Sequence, residues 1–153
     1  MSIILLVLLI AFIVVILFIN CNNKFSGTYH ESFHVNLEID SVSNQDYRKV
    51  IYTDPKQQLV LMSLNVGEDI PAEIHDGTQL YRIEKGNGSA TVWDKEKSSI
   101  PLTKGVGLIV PAGTCHYIKN NSLTEPLKLY TIYSPPQHKP GTVHNRQHDD
   151  PSI

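Results

Sequence analysis

From Tyr47 to Tyr133 the chain breaks into short β-favouring runs, each closed by Gly, Pro, Asn or Asp, and nowhere sustains a 3.6-residue apolar stripe. The runs are Tyr47 to Thr53, Gln58 to Asn65, Leu80 to Lys85, Thr91 to Trp93, Ser99 to Thr103, Leu108 to Val110, Thr114 to Lys119 and Leu127 to Tyr133. Asp54-Pro55, Gly67-Glu68-Asp69 and Gly86-Asn87-Gly88 punctuate them. Strands this short cannot bury a face alone, so the pattern predicts an all-β sandwich or barrel. Upstream, Phe33, Val35, Leu37 and Ile39 alternate with polar residues, which predicts a further half-buried strand. Asp40 to Asp46 reads as a turn or one short helical turn.

Within these runs Gly105, Pro111, Gly113, His116 and Asn120 form one spaced motif. Each position has a physical role. Gly105 permits a tight turn and Gly113 a backbone angle that a side chain obstructs. Pro111 ends a strand and stiffens the turn. His116 opens the returning strand with its imidazole facing inward. The motif resembles the second signature of the cupin family. Upstream, Gly67, Glu73, His75, Gln79 and Gly86 have the spacing of the first signature, with Glu73, His75 and Gln79 where the family pattern has His, His and Glu. Tyr47 to Tyr52, Gln79 to Glu84 and Leu129 to Pro136 are similar to small single-domain cupins of the mannose-6-phosphate isomerase-like group.

The resemblance implies a double-stranded β-helix, or jelly-roll barrel, over residues 47–136. It also implies one divalent ion (Fe, Mn, Zn or Ni) held by Glu73, His75 and His116, with Gln79 as a fourth ligand. The ligand set differs from the family's three imidazoles and one carboxylate, but it keeps two imidazoles and one negative charge, a set that suits non-haem iron sites. Side chains two apart on a strand share a face, which would bring Glu73 and His75 together. A buried carboxylate without a partner is costly, and a cation relieves that cost. If Gln79 faces inward, so do Tyr81 and Ile83. Glu73 as a general base and Tyr81 as a hydrogen-bonding group are the candidate catalytic residues.

The N-terminus carries a different signal. Ile3 to Ile19 is an unbroken apolar run. As a helix it would reach roughly 25 Å, enough to cross a thin bilayer. No basic residue precedes it and Asn20 precedes Cys21, so an uncleaved single-pass anchor over residues 1–20 is expected rather than a cleaved signal. Lys24 just after the run favours a cytoplasmic barrel on a membrane-bound chain. Residues 21–46 read as tether and N-terminal strand.

Residues 137–153 read as a polar, solvated tail, with His138, His144 and His148 either free in solvent or capping the barrel mouth. Only two cysteines are present, Cys21 and Cys115, and both are expected as free thiols, with Cys115 facing away from His116. The net charge of −2 and the absence of a Lys/Arg cluster argue against nucleic acid as a partner.

Two functional classes follow. One is a metal-dependent enzyme, of isomerase or oxygenase type, acting on a small polar or sugar-like molecule. The other is a non-catalytic module that binds a small ligand or displays an interaction surface on a membrane. Pairing through sheet edges into a homodimer is an added expectation from the resemblance.

Overall fold

The computed structural model describes residues 3–23, 31–94 and 96–151, and within the first stretch it describes side chains at 3 and 6–16. The chain divides into two units, residues 1–32 and 33–153. The first contains helix α1 (Ile3–Asn23). Among the described residues no helix is long and apolar enough to cross a membrane. That overturns the expected single-pass anchor over 1–20, and with it the membrane address and cytoplasmic orientation inferred for the barrel. The tether at 24–30 and the side chain of Cys21 lie outside the described residues.

The second unit is a jelly roll of two antiparallel sheets. One has six strands in the order β10-β1-β2-β9-β4-β7, the other four in the order β3-β8-β5-β6. In chain order the strands are β1 (Arg48–Thr53), β2 (Gln58–Leu64), β3 (Asp69–Glu73), β4 (Thr78–Lys85), β5 (Asn87–Trp93), β6 (Lys97–Thr103), β7 (Gly107–Val110), β8 (Cys115–Asn120), β9 (Leu127–Ser134) and β10 (Val143–His144). Eight of the ten coincide with the expected runs. The other two, β3 and β10, lack an alternating apolar pattern.

The core lies between the sheets. Val60, Met62 and Leu64 of β2, Tyr81 and Ile83 of β4, Val92 of β5, Ile118 of β8 and Leu129 and Tyr133 of β9 fill it. Their spacing of two is the sheet's own period. All of β2 is buried, because its outer face is covered as well. Much of that cover comes from the segment read above as a strand. Residues 31–36 carry no regular structure, and α2 (Leu37–Ser43) follows. The helix wins locally because the Asn36 side chain accepts the Ile39 amide at 3.1 Å, capping the first turn, where Glu38 and Asp40 favour the helix dipole. At the other end the buried Lys128 ammonium donates to the Asn44 carbonyl, a favourable place for a cation.

The C-terminal segment departs from the solvated tail expected of it. β10 pairs with β1, setting Arg48 opposite His144 and Lys49 opposite Val143. Gln58 holds His138 at both backbone groups, donating to its carbonyl at 2.8 Å and accepting its amide at 3.0 Å. Asp150 forms an ion pair with Arg48 in which both side chains are buried. The reason is electrostatic: β1 buries a guanidinium, which requires a counter-charge, and the tail supplies it.

Candidate metal centre

The centre forms where the four-stranded sheet meets the mouth of the barrel. Glu73 ends β3, the edge strand of that sheet, where Pro71 costs no ladder hydrogen bond. The β3–β8 register places Glu73 directly across from His116. His75 lies beyond the end of β3, so it reaches the centre through the connection to β4 and not by strand alternation. That connection runs tight against β9: a Cβ on Gly77 would meet the Ser134 carbonyl oxygen at 2.6 Å, so only glycine fits there. The His75 ring stands edge-on to Tyr133 at 5.4 Å and 5.7 Å from the His116 ring.

Glu73, His75 and His116 each offer a ligand atom, and these atoms lie within 4.8 Å of one another. Glu73 Oε1 is 3.0 Å from His75 Nε2 and 3.3 Å from His116 Nε2. His116 is fully buried, while the Glu73 carboxylate remains 21% exposed and opens on the cleft outside. His116 Nδ1 lies 3.1 Å from the Thr114 carbonyl oxygen. A carbonyl only accepts, so Nδ1 carries a proton there and Nε2 is the nitrogen that faces the centre. Burial pushes the Glu73 carboxyl up, but its contacts with His116 and His75 outweigh that and hold it at about 2. It is therefore a carboxylate throughout the neutral range.

Tyr81, on β4, is fully buried with its hydroxyl 3.0 Å from His116 Nε2 and 3.3 Å from Glu73 Oε1. Burial, then the neighbouring Tyr133 and Glu73, raise its pKa well above the phenol range, so it keeps its proton. Gln79 also faces inward, as β4 alternation requires, but its Nε2 donates to Thr131 Oγ1 at 3.0 Å. Its Oε1 is buried without a hydrogen-bond partner among the described residues. Cys115 is a free, half-buried thiol.

Sequence reasoning offered His138 at the barrel mouth only as an alternative to a solvated tail, and did not bring Tyr133 or Asp150 to this place. His138 packs edge-on to the other side of the contact made by Tyr133, at 5.2 Å. Glu73, His75, His138, His144 and Asp150 all line one cleft of about 500 Å³. For Tyr133 a signal existed, the alternation of β9; for the tail residues nothing in composition or spacing pointed inward.

The donor set fits a divalent ion. Two imidazole nitrogens and one carboxylate oxygen are ordinary ligands for Zn, Fe, Mn or Ni. One detail of the geometry also argues for it: His75 Nε2 is buried without hydrogen-bond geometry to any described partner, although a carboxylate oxygen lies 3.0 Å away. A cation between them would give His75 Nε2 a partner.

The family model described as Cupin domain matches residues 60–133, the stretch that contains all three of these residues. An uncharacterized protein of Acanthamoeba polyphaga mimivirus is 47% identical over 119 residues, covering 77% of this chain and 74% of that protein. The Bacillus subtilis protein YrkC is 41% identical over 122 residues, covering 76% of this chain, which in turn spans 64% of YrkC's length. The crystal structure of BH2720 from Bacillus halodurans superimposes with a TM-score of 0.74 at 37% identity, covering 78% of this chain and 92% of that one. With its two-sheet jelly roll, its matched domain and relatives of this similarity, the chain belongs to the cupin superfamily.

Proposed function

We propose that this cupin domain binds one divalent metal ion through Glu73, His75 and His116 and works as a metal-dependent enzyme, of isomerase or oxygenase type, on a small polar molecule. The observation that carries the reading is the convergence of three ligand atoms within 4.8 Å, with Glu73 and His75 lining an adjoining cleft. When bound, the ion would supply Lewis-acid polarisation of a substrate oxygen, or dioxygen chemistry if it is iron. The chain's own residues supply the rest. Glu73, ionised and facing the cleft, can take a proton at a carboxylate oxygen. Tyr81 holds a proton at its hydroxyl beside the same point. Gln79 Oε1 offers an acceptor to orient a substrate hydroxyl or to complete the ligand set. The likeness to the mannose-6-phosphate isomerase-like group supports sugar-like molecules as one substrate class.

The test is metal addition to the metal-stripped full chain. A native-state ligand at about 100 times its Kd stabilises by about 2.7 kcal/mol. At least one of Fe, Mn, Ni or Zn is expected to raise the melting temperature accordingly, and Glu73→Gln to abolish the rise. A melting temperature unmoved by all four metals overturns the reading.

A further inference from the structure

The two histidines of the centre are held in different ways. His116 is oriented by a hydrogen bond, its Nδ1 lying 3.1 Å from the Thr114 carbonyl oxygen. A ligating imidazole normally has such a bond on its second nitrogen, and it fixes the plane of the ring. Among the described residues the His75 ring has no hydrogen bond to any group outside the centre. Its neighbours are Glu73 and His116, which belong to the centre, and Tyr133, whose ring it meets at 5.4 Å and 85°. An edge-on aromatic pair at this separation is attractive and directional. The plane of His75 is therefore set by a packed wall where that of His116 is set by a carbonyl.

Tyr133 is in turn held from its far side. It is 1% exposed, and its ring meets His138 at 5.2 Å and 85°. Its hydroxyl lies within hydrogen-bonding reach of the Arg48 guanidinium and the Gln79 amide. Two of these three supports depend on the C-terminal segment. His138 belongs to it, clamped at both backbone groups by Gln58. Arg48 is paired with Asp150, which the segment carries. The segment is fastened to β1 by the amides of Tyr47 and Val50, which donate to the Asn145 and Thr142 carbonyls at 3.3 and 2.9 Å. One buried ring thus has a candidate metal ligand on one side and the docked segment on the other.

We propose that Tyr133 is the positioning residue for His75, and that through it metal binding at the centre and docking of residues 137–150 favour each other. The positioning stands on the ring contacts; its effect on an ion rests on the metal-centre reading. Such a coupling is reciprocal. The factor by which the docked segment tightens the ion is the factor by which the ion tightens the docking.

Co2+ is the probe, added to the metal-stripped full chain, because its visible absorption reports ligand geometry as well as occupancy. Tyr133→Leu is expected to weaken Co2+ binding at least about tenfold and to shift the bands, while Tyr133→Phe, which keeps the ring, stays within about threefold with its bands unmoved. Without metal, the NMR signal of His75 Cε1–Hε1 is expected to move in Tyr133→Leu and to stay near its natural position in Tyr133→Phe. In the natural chain, saturating Zn2+ is expected to slow hydrogen exchange at the Tyr47 and Val50 amides at least about fivefold. That readout needs no variant and holds if Tyr133→Leu does not fold. Three results overturn the proposal and leave the metal centre standing: equal Co2+ affinity in Tyr133→Leu, an equal loss in Tyr133→Phe, or exchange at Tyr47 and Val50 unmoved by bound Zn2+. An unmoved His75 signal in Tyr133→Leu overturns the positioning whether or not metal binds. A natural chain that takes up neither ion, with the His75 signal moving as expected, fails the metal-centre reading and upholds Tyr133 as the positioning residue.

Discussion

The backbone amide of Gly113 donates to the carbonyl of His75 at 2.8 Å. The turn of one motif thereby fixes the backbone of a ligand in the other. Gly113 makes this bond at φ +75°, and a Cβ there would meet nothing within 4 Å. The demand for glycine is conformational and not a matter of space. Gly113→Ala is therefore expected to cost about 1–2 kcal/mol, the price of holding an L-residue in the left-handed region. Metal affinity should fall as well, because the His75 backbone shifts with the turn. Chemical denaturation and a metal titration of the variant check both.

Asn120, at the end of the same motif, has a different task. The two N–H groups of its Nδ2 are shared among the carbonyls of Leu64, Asn65 and Glu125 at 3.0, 3.1 and 2.9 Å, and its Oδ1 accepts the Ser122 amide at 2.9 Å. One buried amide thus ties the end of β2 to the loop after β8. Asn120→Ala leaves several backbone groups unpaired at about 1–3 kcal/mol apiece when buried. A loss of about 3 kcal/mol or more is expected in urea unfolding. Metal affinity measured under native conditions should change by less than about threefold, since no ligand contacts Asn120.

Tyr81→Phe separates chemistry from packing at the centre. The ring stays and the hydroxyl leaves, so His116 Nε2 loses a donor at 3.0 Å. The metal-free chain should lose about 1 kcal/mol, the net worth of one hydrogen bond. Metal affinity should hold or rise slightly, because the hydroxyl and the ion compete for the same nitrogen lone pair. A fall in metal affinity beyond about tenfold, measured by calorimetry, would show that the Tyr81 hydroxyl helps to hold the ion and is not free to serve a substrate.

The barrel was legible because its cause is local: a period of two along each run and turn residues between runs. His116 was legible for the same reason, being fixed by a motif whose glycines and proline act within their own turn. Glu73 and His75 come together with His116, but by another route than strand alternation, since His75 arrives through the β3–β4 connection and not on a strand. The alternation of Phe33 to Ile39 misled because a single side-chain cap at Asn36 outweighs a weak strand pattern over so short a segment. The tail was illegible in principle. What pulls residues 143–150 against β1 is a buried charge on Arg48, far away in sequence, and composition registers polar residues without registering their partners.

That docking should depend on pH through His138. Burial, then the nearby Arg48 charge, pushes its imidazole down to about 4, with His75 and His144 acting in the same direction and Glu73 opposing them. His144 is lowered too, by burial and then Arg48, with Asp149 opposing. A free histidine titrates near 6.5. Between about pH 6.5 and pH 4 the undocked segment therefore binds more protons than the docked one, and docking weakens as the pH falls. Above about 6.5 both forms are neutral at these positions and the dependence is flat. Glu73 adds a separate, lower window: its depressed pKa contributes stability above about 4.5 that is lost as the pH falls toward about 2. Protection of the Val143 and His144 amides from hydrogen exchange, corrected for the intrinsic rate and followed from about pH 7.5 to 4.5, should fall as the pH drops through about 6.5. His138→Phe keeps a ring against Tyr133 and removes the proton site, so it should flatten most of that slope. An unchanged slope in the variant would mean that His144 alone, or the Arg48–Asp150 pair, governs the release of the segment.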